Sequence, residues 1–236
     1  YVLAPSKANY DTAKINGIEN TLFVFYPRRV IAQTDTSVIL DEYGDTSNLP
    51  FAFVIPMERE KKTIAGDIVL TWWQKGTGMQ RAVVLSKDST TTPVVYYIDN
   101  QYSLYAPATD IKYWMDTLMP NTFLVLNNSI MPGKAITPKD EEFSNFYIIL
   151  SITGNKILGL SWSGNIQILD KDKCDIIPFK KDINIGDSVK IPYIGMYSRG
   201  RVISMWEDIG KLKARIFFID TIINTYANIA DAIKIE

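Results

Sequence analysis

A metal site is the first chemistry to consider, because Asp170, Asp172 and Asp175 recur within the stretch DKDKCD. Closely spaced carboxylates are typical of calcium loops, but such loops also need a glycine at their sharp turn and a distal glutamate. Neither residue stands at the required position, so we predict a solvent-exposed turn and no metal. The acidic stretches DEYGD at 41–45 and KDEEF at 139–143 receive the same interpretation.

Catalysis has few side chains to draw on, because the sequence contains no His and a single Cys, Cys174. The absence of imidazole excludes Ser-His-Asp and Cys-His catalysis and leaves no general base that titrates near neutrality in its unperturbed state. A single cysteine excludes a cysteine-rich zinc site and a disulfide within this chain, and we expect it to be a buried thiol. We therefore predict a protein that is not an enzyme and uses no cofactor.

Composition indicates a folded chain with no net charge to attract nucleic acid or an anionic membrane. The 236 residues are 47% hydrophobic, and 26 acidic side chains balance 25 basic ones, so we expect no nucleic-acid partner. No apolar run reaches the roughly 18 residues of a membrane helix, and the N-terminus lacks the apolar stretch of a signal peptide. We expect an intracellular protein, or a component of an assembled particle, that does not enter a membrane.

Short β-type runs separated by turn-forming residues dominate the chain and predict an all-β fold. These runs are rich in Val, Ile, Phe, Tyr and Thr, and clusters of Gly, Asn, Asp, Ser and Pro divide them. One short helix is predicted over 110–119, because Ile111, Trp114, Met115 and Leu118 fall on one helical face.

An internal duplication is indicated by two related stretches, IDNQYSLYAPATD at 98–110 and IDTIINTYANIAD at 219–231. Each follows the pattern Gly-Asp, one residue and Val, at 66–69 and 186–189, and then an Arg-containing run, RAVVL or GRVIS. An ordered set of motifs of this kind predicts two copies of one structural unit.

The duplication divides the sequence into four predicted parts. These are an N-terminal arm over 1–19, a first unit over 20–118, a Pro-containing linker over 119–145 and a second unit over 146–236. We expect each unit to combine an N-terminal β-hairpin with a small barrel, over 64–113 in the first copy and 184–236 in the second. The run TFLVL inside the linker can form an additional strand.

The ordered motifs of the first copy are Gly-Asp-x-Val, then Arg-Ala-Val-Val-Leu, then Val-Tyr-Tyr-Ile-Asp-Asn. They resemble the Tudor group of small barrels, in which a strand opening with Gly-Asp leads to an Arg-Ala strand and then to Phe-Ile-Asp-Tyr-Gly-Asn. The resemblance covers about 45 residues in each copy. It implies a barrel of the Src-homology-3 type that is too small to enclose a ligand.

The resemblance also implies candidate ligand-binding residues, because Tudor barrels that bind methylated Arg or Lys do so with an aromatic cage. Gln80 stands where one cage aromatic is expected, and packing in a core or an interface is the alternative role for the remaining rings. The cage-like positions are Trp73, Tyr97 and Tyr102 in the first copy and Tyr193 and Phe218 in the second.

Three further side chains are candidates for contacts with other proteins. Trp72 and Trp73 are adjacent on a predicted strand, so their rings face opposite sides, and an exposed tryptophan often marks an interface. Arg28 and Arg29 lie at a predicted surface hairpin and can contact acidic partners.

These observations favour a non-catalytic structural protein whose duplicated units contact other subunits of a larger complex, such as a virion. Two alternatives stay open. The first is a tandem Tudor-like reader of peptides that carry methylated Arg or Lys. The second is nucleic-acid binding by the small barrels, which needs basic residues and exposed aromatics on one face.

Overall fold

A computed structural model describes residues 1–74, 78–99, 111–139, 145–179, 182–209 and 211–235 of the chain. Within these ranges, twenty strands form four antiparallel five-stranded sheets, which we number 1 to 4 along the chain. The predicted all-β fold is confirmed, and the sheets repeat along the chain.

Sheet 1 is formed by the first five strands and contains the α-helix α1 between its first two strands. Ser6 begins this helix, because its hydroxyl accepts a hydrogen bond from the Asn9 backbone N–H at 3.1 Å. Gly17 ends it with a positive φ of 88°. The elements are β1 (Val2–Pro5), α1 (Lys7–Asn16), a 3-10 turn (Ile18–Asn20), β2 (Phe25–Gln33), β3 (Ser37–Glu42), β4 (Asp45–Pro50), a 3-10 turn (Phe51–Phe53) and β5 (Ile55–Pro56).

Sheet 2 follows and contradicts the predicted helix over 110–119. Lys112–Trp114 is a single 3-10 turn, and Met115–Thr117 is a strand, because its backbone pairs with Val94–Tyr96 of the neighbouring strand. Pairing across the sheet therefore outweighs the local apolar periodicity. The strands of sheet 2 are β6 (Ile68–Trp72), β7 (Met79–Val84), β8 (Val94–Tyr97), β9 (Met115–Thr117) and β10 (Leu124–Leu126).

Sheets 3 and 4 occupy the second half of the described chain. Sheet 3 contains β11 (Ala135–Pro138), β12 (Tyr147–Thr153), β13 (Lys156–Ser161), β14 (Ile166–Asp170), a 3-10 turn (Lys171–Lys173) and β15 (Cys174–Ile176). Sheet 4 contains β16 (Ser188–Tyr193), β17 (Met196–Met205), a 3-10 turn (Glu207–Ile209), β18 (Lys213–Phe218), β19 (Ile223–Asn228) and β20 (Ile233–Ile235).

All four sheets have the same strand order. The first four strands of each sheet form a meander, and the fifth pairs with the first, as in the order β4-β3-β2-β1-β5 of sheet 1. Sheets 1 and 3 also share a 3-10 turn between their fourth and fifth strands. A register shift in the second strand recurs in sheets 1, 3 and 4. Sheets 2 and 4 share the Gly-Asp motif, so the chain repeats a pair of sheets.

The predicted hairpins at the start of each unit are parts of complete sheets. The predicted units leave out the first strand of each of these sheets. In sheet 1 it is β1, within the predicted arm 1–19, and in sheet 3 it is β11, within the predicted linker 119–145. The predicted linker also contains β10, which is the strand expected from TFLVL. The strands β1 and β11 are four residues each and end in proline, so they carry little alternating pattern.

Buried apolar side chains form one central cluster and smaller clusters that belong to single sheets. The central cluster includes Leu3 of sheet 1, Leu70 of sheet 2, Leu150 of sheet 3 and Ala230 beside sheet 4. Each of these side chains is at most 1% exposed, so all four sheets contribute to one interior. The helices within the described ranges are all too short or too polar to cross a membrane.

Candidate functional site

The Gly-Asp motif forms the same turn before β6 and before β16. Gly66 and Gly186 both have positive φ, 88° and 94°. The carboxylate of Asp67 accepts a hydrogen bond from the Ile64 N–H at 3.0 Å, and Asp187 accepts one from Asn184 at 2.8 Å. These bonds fix the start of the first strand in sheets 2 and 4.

An Arg-Asp pair connects the second strand to the end of the third in both sheets. Asp99 accepts hydrogen bonds from the backbone N–H and the guanidinium of Arg81, and Asp220 accepts the same two kinds from Arg199. The registers agree, since Arg81 lies opposite Leu70 and Arg199 opposite Lys190. The Asp of each Ile-Asp motif therefore pairs with one arginine, Arg81 in the first copy and Arg199 in the second. Arg199 directly precedes the run GRVIS, so the arginine within that run is not the paired one.

The two Arg-Asp pairs lie in opposite environments. Arg81 is 2% exposed and donates from both terminal nitrogens to Asp231, at 2.9 and 2.6 Å, across the contact between sheets 2 and 4. Asn228 also reaches across and donates to Asp99 at 3.1 Å. The side chain of Arg199 is 56% exposed. Burial alone lowers the pKa of Arg81, but the two carboxylates outweigh it and raise the pKa, so this guanidinium stays charged.

A second polar contact joins sheets 2 and 4. The Lys213 ammonium donates to the Tyr96 hydroxyl at 3.1 Å and lies 5.2 Å from the centre of the Trp206 ring. Lys213 has no exposed surface, and this burial lowers its pKa to about 7. The interface thus combines a charged arginine with a lysine that titrates near neutrality.

A cavity of about 220 Å³ opens beside this interface. Arg81, Asp99 and Asp231 lie on its wall, and the exposed Trp162 of sheet 3 lies at its rim. Sheets 2, 3 and 4 all contribute to it. The described lining residues are Leu70, Met79, Gln80, Arg81, Asp99, Phe146, Ile148, Leu160, Ser161, Trp162, Pro192, Asn228 and Asp231.

Comparison with known proteins identified no relative of this chain. The chain matches no protein-family model and no curated protein.

The first predicted aromatic cage is a packed cluster in sheet 2. Tyr97 has no exposed surface, and its hydroxyl lies between the Trp72 carbonyl, at 3.1 Å, and the Gln74 N–H, at 3.2 Å. Trp73 is half-buried, with its ring 5.2 Å from the centre of the Trp114 ring. Burial raises the pKa of Tyr97, in keeping with its place in the interior.

The second predicted cage brings Tyr193 and Phe218 together, with ring centres 4.3 Å apart. Phe218 has no exposed surface and belongs to the interior of sheet 4, so this contact is core packing. Tyr102, the remaining predicted position, lies outside the described residues. The buried Tyr97 and Phe218 rings have no surface to offer a methylated cation, whereas Trp73 and Tyr193 are partly exposed.

The predicted interface residues divide between interior and surface. Arg28 is 6% exposed, contrary to the expected surface hairpin, and it pairs with Glu42 at 3.5 Å and lies near the rings of Tyr26 and Tyr43. Arg29, the next residue, is exposed. Trp72 is half-buried, and its ring centre lies 6.4 Å from that of Tyr1.

The acidic stretch DKDKCD pairs with neighbouring side chains. Asp170 forms ion pairs with Lys156 and Lys173, and Asp172 accepts a hydrogen bond from Asn155 at 2.9 Å. These contacts lower the pKa of both carboxyl groups. Cys174 is buried, as expected, and burial raises the pKa of its thiol.

A face of sheet 4 on the outside of the molecule is the second candidate site. We define the sheet-4 face by Lys190, Arg199, Arg201, Phe217 and Ile219, which lie next to each other on β16, β17 and the β18 end. Phe217 is 37% and Ile219 50% exposed. The flanking Ile203 and Arg215 are exposed as well.

The same face of sheet 2 is completely covered. The residues at the equivalent positions are at most 2% exposed, and four of them belong to the central cluster. They are Leu70, Arg81, Val83, Tyr96 and Ile98, which correspond in that order to Lys190, Arg199, Arg201, Phe217 and Ile219. One copy of the face is therefore buried by the rest of the chain, and the other is open.

Sequence reasoning missed Asp231, Asn228, Lys213 and Trp162 as site residues. Asp231 ends the second copy of the repeated stretch, so its position was visible, but its role depends on Arg81, 150 residues away. Neither Lys213 nor Trp162 stands in a motif, and local sequence carries no signal for them.

Proposed function

We propose that the protein is a non-catalytic assembly component whose sheet-4 face holds another protein subunit of a larger complex. The observation that carries this proposal is the contrast between the open sheet-4 face and its buried counterpart in sheet 2. Phe217 and Ile219 expose apolar surface to water, which is unfavourable compared with burial. Adjacent exposed apolar side chains are typical of interaction sites.

The buried face of sheet 2 serves as a template for the proposed contact. There, Arg81 keeps its Asp99 partner and receives a second carboxylate from Asp231, while apolar neighbours exclude water. Arg199 has the matching Asp220 partner but an exposed side chain. A protein segment that brings a carboxylate to Arg199 and apolar side chains to Phe217 would repeat this arrangement.

Charge indicates the chemistry of the partner. Lys190, Arg199, Arg201 and Arg215 lie on or beside the sheet-4 face, and Asp220 is the described carboxylate paired there. The face is therefore positive although the whole chain is close to neutral. We infer an acidic partner segment that also carries apolar side chains.

Nucleic acid is the second candidate for the same face. Phe217 lies directly opposite Arg201 on the neighbouring strand, and an exposed aromatic between arginines can stack on a base. Ile203 and Ile219 at the edges of the face favour protein, because they have neither charge nor an aromatic ring to offer a nucleotide.

We further infer that each sheet curls into a small barrel of the Tudor-like, Src-homology-3 type. In all four sheets the fifth strand pairs with the first, so the first strand has a paired neighbour on each of its two edges. Sheets 2 and 4 each have an apolar interior of their own, as a closed barrel requires.

Photo-crosslinking tests the proposed docking surface. A photoreactive phenylalanine analogue is placed at Phe217 in the full chain, expressed in the cells that produce the protein, and the adducts are sequenced by mass spectrometry. Tyr43, an exposed aromatic on sheet 1, is the matched control position. We expect the Phe217 probe alone to label one acidic, apolar protein segment, and Arg199→Glu together with Arg201→Glu to abolish that adduct.

Three outcomes would overturn the proposal. They are equal labelling from the two probe positions, a Phe217 adduct with nucleic acid in place of protein, and an adduct whose yield the two charge reversals leave unchanged.

A further inference from the structure

The described lining of the cavity beside the interface of sheets 2 and 4 has a net negative charge. It includes three charged side chains, Arg81, Asp99 and Asp231, which sum to minus one. Asp231 is 1% exposed, so water screens this excess charge poorly. An unbalanced charge in a poorly solvated site favours a cation as its occupant.

Asp231, on the wall of this cavity, has unused capacity as a hydrogen-bond acceptor. Asp99 accepts four hydrogen bonds, three from Arg81 and one from Asn228, which uses its lone pairs fully. Within the described part of the chain, Asp231 accepts one bond on each carboxylate oxygen, which leaves one lone pair on each. The two Asp231 oxygens thus favour a ligand that donates hydrogen bonds.

The rest of the lining is apolar and partly aromatic. Leu70, Met79 and Leu160 form apolar walls, and Phe146 and Trp162 supply rings on the sheet-3 side. Trp162 is 54% exposed at the rim, where its ring is accessible from outside. Such walls fit an alkyl stem, and ring faces attract a planar cation.

We propose that this cavity binds the side chain of an arginine from a partner polypeptide. A guanidinium donates up to five hydrogen bonds in one plane, is less strongly hydrated than an ammonium and stacks on aromatic rings. Its charge balances the excess negative charge of the described lining, and its donors match the unused acceptor positions of Asp231. This site is separate from the sheet-4 face and does not depend on the proposed assembly role.

NMR titration of the full chain with N-acetylarginine amide tests the proposal. The indole N–H signal of Trp162, assigned with Trp162→Phe, reports occupancy of the cavity. We expect a saturable shift with a millimolar dissociation constant, as for a small fragment of a larger ligand. N-acetylcitrulline amide, a neutral molecule of nearly the same shape, should bind at least about tenfold more weakly, since it lacks the charge that the cavity requires.

Two variants and one control locate the binding. Trp162→Ala, followed through the Phe146 backbone signal, should weaken binding about fivefold through loss of the ring contact. Met79→Lys should weaken it by adding a positive charge to the lining. Ile168→Ala changes an exposed side chain of sheet 3 outside the cavity and should leave binding unchanged. Equal binding of the citrulline amide, the absence of a saturable shift, or full affinity in both cavity variants would each overturn the proposal.

Discussion

At the scale of single residues, the contact between sheets 2 and 4 depends on buried charges. Arg81, Asp231 and Lys213 are at most 2% exposed, and each has lost its hydration on folding. Such groups add little net stability compared with an apolar core, but removal of one partner leaves the other buried and uncompensated. Arg81 and its carboxylates therefore specify how the two sheets align.

Removal of Asp231 should be far more costly than removal of its exposed analogue. We expect Asp231→Ala to lower the free energy of unfolding by about 2–4 kcal/mol, because Arg81 loses two charge-assisted hydrogen bonds in the interior and keeps only Asp99 as its carboxylate. Asp220→Ala removes a partner of the exposed Arg199 and should lower it by about 1 kcal/mol or less. Urea unfolding of both variants measures the difference, and similar losses would show that burial of the pair does not matter.

Lys213 should make stability depend on pH above neutrality. Its pKa is lowered from 10.5 to about 7 on folding, so the unfolded chain binds an additional proton between these values. The burial cost is complete below pH 7 and shrinks as the pH rises, which raises the free energy of unfolding by at most about 5 kcal/mol.

The variant Lys213→Met removes this titration and isolates it from the other groups. Unfolding by urea at about pH 6 and about pH 9.5 should show wild type gaining stability relative to the variant as the pH increases. Parallel pH profiles for the two proteins would contradict a lowered pKa of Lys213.

At the scale of elements, the duplication is expressed in the turns and registers of sheets 2 and 4. The Gly-Asp turn and the Arg-Asp pair recur with the same hydrogen bonds in both copies. Asn184 and then Lys234 lower the pKa of Asp187, so this carboxylate is charged at neutral pH and holds its turn.

The Gly-Asp turn gives a prediction for matched substitutions. Gly66→Ala and Gly186→Ala should each lower the free energy of unfolding by about 1–2 kcal/mol, because both residues have positive φ and an added Cβ meets nothing within 4 Å. The cost is thus conformational and should be similar in the two copies. Thermal unfolding measures it, and a large loss in only one copy would contradict the equivalence of the turns.

Element prediction succeeded where a strand has an apolar pattern of its own. β10 lies within the run TFLVL and β17 contains the run GRVIS, whereas the short strands β1 and β11 lie in the predicted arm and the predicted linker. The predicted helix over 110–119 failed because its apolar residues Trp114 and Leu118 are buried by the sheet, not by a helical face. The local apolar pattern does not tell a residue buried by a helical face from one buried by a sheet, because that depends on the neighbouring strand.

At the scale of the whole molecule, the central cluster joins all four sheets. Residues from both halves of the chain pack in it, and the Arg81–Asp231 and Lys213–Tyr96 contacts reinforce the connection. The two copies are therefore not independent domains in their packing, although their topologies repeat.

This shared interior predicts a single cooperative unfolding transition for the full chain. Calorimetry should give one peak whose calorimetric and van't Hoff enthalpies agree. Leu150→Ala, within the central cluster, should move the whole peak to lower temperature, since a buried leucine contributes about 2–5 kcal/mol. Two separate peaks, with only one affected by Leu150→Ala, would show that the halves unfold independently.

The amino-acid sequence by itself determined the all-β class, the duplication and the position of each Gly-Asp and Ile-Asp motif. These features follow from residues close together in the chain, whose turn and strand preferences act locally. Only the tertiary structure decided that Arg81 is buried and Arg199 exposed, that the cage-like Tyr97 and Phe218 are core residues, and that Trp162 borders a cavity. Burial depends on contacts between residues far apart in the chain, such as Arg81 and Asp231, which are 150 positions apart. The local sequence pattern does not predict such contacts.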